Sequence, residues 1–83
     1  MHKNNFLKYI EFEKRYSKHT LISYNTDLTQ FFNFLDVEYD ISDLSEVSHQ
    51  IIRSWISFML DSGISSRSVN RKITTLKSFY KYL

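Results

Sequence analysis

At 83 residues the chain has room for one domain, near the size at which a single core is barely sufficient, and a second domain is excluded within that length. Aromatics at 17%, seven Phe, six Tyr and one Trp among them, supply large buried surfaces and argue against disorder, while the absence of Cys removes disulfides, thiolate metal sites and cysteine nucleophiles together. Zero Pro and one Gly do not suit the many tight turns of a β-sandwich or barrel, and the net charge of +2 conceals a sorting, with five acids and no base over 36–46 and five bases and no acid over 62–83.

An all-α domain follows, and four helices can be placed in chain order. The first is expected over 5–15, with Asn4 or Asn5 as N-cap and Phe6, Tyr9, Ile10 and Phe12 as buried positions. The second, over 18–36, is the most regular. Ser17 is its N-cap, and Leu21, Tyr24, Leu28, Phe31, Phe32 and Leu35 keep the spacing of a core face. Residues 37–47 alternate small apolar and acidic side chains without helical period and read as an irregular loop, with Ile41 and Leu44 turned inward. The third helix, over 49–62, starts after Ser48, and Gly63 stands where a left-handed residue ends a helix. Ser65 caps the fourth, over 66–83. Short first and last connections around one longer acidic loop specify a compact orthogonal four-helix bundle. No apolar run approaches the roughly 20 residues of a membrane span, and the N-terminus is too charged for a signal peptide, so a soluble, cytoplasmic chain is expected.

The last helix carries the most informative pattern. At about 100° per residue, Val69, Ile73, Leu76, Tyr80 and Leu83 fall on one side, and Arg67, Asn70, Arg71, Thr74, Lys77, Ser78 and Lys81 on the other. Such a stripe fits any solvated amphipathic helix; it also fits a face for a polyanion. Its coincidence with a helix N-terminus sharpens the second reading, because Ser65, Ser66 and Ser68 offer hydroxyls and N–H groups at the positive end of the dipole, where Arg67 and Arg71 project one turn apart. Arg can address guanine O6 and N7 in a major groove, and Asn70 can address adenine. On the second helix, Lys18, His19 and Thr20 in the first turn are either exposed polar residues or phosphate contacts, and Ser23, Thr26 and Gln30 are short enough to lie close to a nucleic-acid backbone.

Other chemistry finds little support. His2, His19 and His49 lack the spacing that sets two imidazoles on one metal, so no metal or cofactor is expected. There is no nucleophile elbow, glycine-rich phosphate loop or carboxylate pair in an apolar setting. Tyr9, Tyr24 and Tyr80 fall on core faces. Tyr82 lies at the basic edge, beside lysines of its own helix rather than a convergent arginine clamp, so the tyrosines read as packing residues. Trp55 and Met59 read as core, and Phe58 as partly exposed.

Three stretches together carry a resemblance: Ser17–Leu35 (SKHTLISYNTDLTQFFNFL), Ile52–Ile56 (IRSWI) and Gly63–Leu83 (GISSRSVNRKITTLKSFYKYL). In this order and spacing they resemble the N-terminal core-binding, SAM-like domain of tyrosine recombinases of the Xer and phage-integrase type, over nearly the whole chain. The resemblance implies a domain that forms half of a clamp around a recombination half-site in double-stranded DNA, with its second and fourth helices toward the duplex. It also implies that a catalytic domain carrying the tyrosine nucleophile belongs beyond Leu83, so no recombination is expected from these residues alone. Tyr24 and Asp27 match fold-keeping positions; Thr20, Ser65, Ser68, Asn70, Arg71, Lys72 and Lys77 match the helix patterns, with Arg67, Asn70, Arg71 and Lys72 the foremost candidates for DNA.

On this reading the chain binds DNA, meets other recombinase protomers in a larger assembly, and is a monomer by itself. Two rivals differ in observable ways. A helix-turn-helix regulator built on the third and fourth helices would dimerise across half-sites one helical turn apart, and a protein-interaction module would bind independently of nucleic acid.

Overall fold

The computed structural model describes residues 2–83. Four helices, α1 (His2–Phe12), α2 (Lys18–Phe34), α3 (His49–Asp61) and α4 (Ser66–Tyr82), form a compact all-α fold, with no strand among the described residues. The serine caps expected from sequence are in place. Ser17 Oγ accepts the Thr20 N–H at 3.3 Å, Ser48 Oγ that of Ile51 at 3.4 Å, and Ser65 Oγ that of Ser68 at 3.3 Å. Each satisfies one N–H that the first turn of a helix otherwise leaves unpaired.

Left-handed residues end the elements. Gly63 has φ +91°; its N–H donates to Leu60 O at 3.1 Å and that of Ile64 to Met59 O at 3.0 Å, the paired bonds of a Schellman ending. Arg15 at φ 55° turns the chain between α1 and α2, where the Tyr16 N–H reaches Ile10 O at 3.1 Å. α1 therefore spans 2–12 rather than 5–15. Phe12 is 71% exposed, contrary to its expected burial, because it lies about 200° around the helix from Ile10, which with Phe6 makes the buried edge.

The acidic stretch is more ordered than the expected loop. α2 continues as one π-helical turn, Leu35–Tyr39, closed by Asp40 at φ 53° and by the Ile41 N–H donating to Leu35 O at 3.1 Å. A 3₁₀ turn, Leu44–Glu46, follows, capped by Asp43, whose Oδ1 accepts from the Ser45 N–H at 3.0 Å and hydroxyl at 2.8 Å. Ile41 and Leu44 are half-buried against the core, and the Tyr80 hydroxyl donates to Leu44 O at 3.3 Å, tying the stretch to α4.

Aromatic contacts dominate the core. Phe31 and Phe79 are fully buried; Phe31 lies 4.9 Å from Trp55, and Phe79 lies 5.4 Å from Phe6 and 5.7 Å from Phe32 between ring centroids. At about 1.5–3 kcal/mol for each large apolar side chain removed from water, these contacts offset chain entropy in a domain this small. On α4 the buried stripe is Val69, Lys72, Thr75, Leu76 and Phe79, rotated by about 60° from the apolar stripe read from sequence. Two of its five members are polar, and their partner lies on α2.

Candidate nucleic-acid interface

α2 and α4 cross near their middles, and a single carboxylate marks the crossing. Asp27, 1% exposed, accepts at Oδ1 from an Arg71 guanidinium nitrogen at 2.8 Å and from Lys72 Nζ at 2.9 Å. Its Oδ2 accepts from the Thr75 hydroxyl at 3.0 Å, and Lys72 Nζ also donates to Gln30 Oε1 at 2.6 Å. No buried side-chain nitrogen or oxygen among the described residues lacks a partner. An unpaired charge at this depth costs several kcal/mol, so one anion facing two cations requires this satisfaction.

The two cations differ in what they offer outside. The side chain of Lys72 is 6% exposed and that of Arg71 51%. Lys72, a foremost DNA candidate from sequence, is thus corrected to a buried residue: its position lies in the core stripe and its ammonium is consumed by Asp27 and Gln30. Arg71 keeps most of its five donors free of Asp27.

Around Arg71 the surface of α4 is basic. Arg67, Asn70, Thr74, Lys77 and Lys81 are exposed, and Ser66 is exposed beside the cap. The Ser65 hydroxyl donates to Ser68 Oγ at 3.2 Å, and that of Thr74 turns back to Asn70 O at 3.0 Å, so both are engaged within the helix. Lys18 and His19 are exposed and Thr20 and Ser23 half-buried at the start of α2. Thr20 precedes Asp27 by seven residues, about 10 Å along the helix, so this group sits at a distance from the Arg71 cluster, while Gln30 is drawn directly into it.

The tyrosines belong to packing. Burial, and next the neighbouring Tyr16, push the Tyr24 hydroxyl above its ordinary pKa, and burial does the same to Tyr80. Tyr82 packs its ring 5.4 Å from Phe6 and 5.0 Å from Tyr9. Among the described residues no group of three or more His, Asp or Glu is placed to hold a metal ion, and no helix is long and apolar enough to cross a membrane. Thr75 is the site residue that sequence reading missed; its signal is the i, i+3 spacing from Lys72, two polar residues within one core stripe.

Residues 4–83 match the family described as phage integrase, N-terminal SAM-like domain. Similar proteins include the tyrosine recombinase XerC of Anoxybacillus flavithermus, 39% identical over 96% of this chain and 26% of its own length, and that of Thermodesulfovibrio yellowstonii, 43% identical over 95% and 25%. The tyrosine recombinase XerD of Rickettsia bellii is 36% identical over 94% of this chain and 25% of its own. No solved structure matches. The chain belongs to the phage-integrase SAM-like family and is an N-terminal tyrosine recombinase domain of the Xer type. It spans about a quarter of the length of the curated relatives it matches.

Proposed function

We propose that this domain binds double-stranded DNA at a recombination half-site and positions a separate catalytic domain on it. The observation that carries the reading is the exposed face of α4, a helix with no acid of its own: Arg67, Lys77 and Lys81 have no carboxylate partner among the described residues, and Arg71 is half-exposed above Asp27. Arg67 and Asn70 lie near the serine-capped end, where dipole and free N–H groups favour a phosphate. Lys18, His19, Thr20 and Ser23 of α2 make a second contact along the same duplex. The site needs no cofactor. The domain contributes affinity and position; cleavage and rejoining belong to the catalytic part, and other protomers join in the full assembly. A DNA-directed role belongs in the cytoplasm.

Four exposed cations on α4 and Lys18 on α2 set the expected electrostatics. At about −0.9 per phosphate contact, log K should fall with log salt at a slope of roughly −4 to −5. Fluorescence anisotropy of a labelled mixed-sequence duplex across a salt series tests this. A slope near zero removes the DNA reading.

A second reading, a protein-interaction module, has one feature in its favour: a cleft lined by Phe34, Val37, Trp55, Phe58 and Ile64, with Val37 74% and Phe58 48% exposed. Partner capture unaffected by nuclease treatment would favour it.

A further inference from the structure

We infer that Lys72 is a buried counter-charge that keeps Arg71 electrically available to DNA while Asp27 holds Arg71 in place, so that Lys72 and Asp27 are positioning residues rather than contacts. This deepens the DNA reading and rests on it. Fastening α2 to α4 through an ion pair requires one cation for one carboxylate, and Asp27 has two, both on Oδ1 at 2.8 and 2.9 Å. With Arg71 alone the pair would be neutral, and a phosphate approaching Arg71 would meet Asp27's negative charge behind it. Lys72 cancels that charge from inside. The three groups sum to +1, and the surplus emerges where exposure is greatest, on the half-exposed guanidinium.

The remaining hydrogen bonds support this division. Thr75 donates to Oδ2, holding the carboxylate with Oδ1 toward the two cations, and Gln30 Oε1 accepts from Lys72 Nζ at 2.6 Å. Arg71 is tethered through one nitrogen, which reduces the side-chain freedom lost when a phosphate binds and leaves its other donors outward. A solely structural purpose would also keep Lys72 beside the buried Asp27, so the salt slope of DNA binding, rather than stability, separates the two roles.

The test is the salt slope of duplex binding by the 83-residue chain, using the same labelled mixed-sequence DNA, for wild type, Arg71→Met, Lys72→Met and the double variant Asp27→Asn with Lys72→Met. Arg71→Met and Lys72→Met should each make the slope shallower by about one unit. The double variant, in which the cluster again sums to +1, should return to the wild-type slope. If Lys72 touched phosphate itself, the double variant would stay shallower by about one unit, and the inference is overturned; an unchanged slope in either single variant also overturns it. Should Lys72→Met lose its helical circular dichroism, the double variant against wild type decides alone: equal slopes support the inference and a shallower one overturns it. Wild type with no salt-dependent binding is a different result, which removes the DNA reading and this inference together.

Discussion

Lys72 Nζ and an Arg71 guanidinium nitrogen lie 2.9 and 2.8 Å from the same oxygen of Asp27, yet one side chain is 6% exposed and the other 51%. Equal distances therefore carry unequal energies. A half-exposed pair is screened by water and contributes about 0–1 kcal/mol, whereas removing one partner of a buried pair costs about 3–5 kcal/mol because the other is left uncompensated. Asp27→Leu should accordingly lower the unfolding free energy by about 3–5 kcal/mol in urea, a large part of the total for a domain of this size, while Arg71→Ala should change it by about 1 kcal/mol or less. Equal effects in the two variants would contradict the burial assigned to Lys72.

The cap of α4 is a separate and smaller contribution. Ser65→Ala removes the acceptor for the Ser68 N–H and should cost about 1 kcal/mol, read as a fall in thermal midpoint of several degrees. Ser65→Asp retains a side-chain acceptor and should restore the midpoint. Its added negative charge beside the basic face should still weaken DNA binding, separating helix stability from phosphate affinity.

Much of this was legible in the sequence, for identifiable reasons. Ser17, Ser48 and Ser65 signal caps through local chemistry, and Gly63 signals its corner because a positive φ suits a residue without Cβ. The side of α4 that faces inward was less legible. Helical period alone favours Ile73 and Tyr80, which are half-buried, over Lys72 and Thr75, which are buried, because the deciding factor is a carboxylate more than forty positions away. Left-handed Arg15 and Asp40 were likewise hidden, since neither residue type specifies that geometry as Gly does.

A pH effect is expected in the 3₁₀ turn. The Ser45 N–H, and then its hydroxyl, hold the Asp43 carboxyl below the ordinary carboxylate value. A depressed folded pKa means that the turn's stabilisation is complete above the ordinary value of 3.8 and is lost as pH falls through the folded value. The Ser45 amide resonance should therefore titrate below pH 3.8 together with the Asp43 carboxyl, and Asp43→Ala should abolish that titration. Titration at or above the ordinary value would contradict the capping geometry.

Duplex anisotropy of wild type against Arg71→Glu across a salt series asks whether the exposed face of α4 binds DNA through Arg71 and its neighbours. The wild-type slope should be roughly −4 to −5. The variant should bind at least about tenfold more weakly at low salt and with a shallower slope, with helical circular dichroism retained. Wild-type affinity and slope in Arg71→Glu would remove Arg71 and the α4 face from the DNA interface.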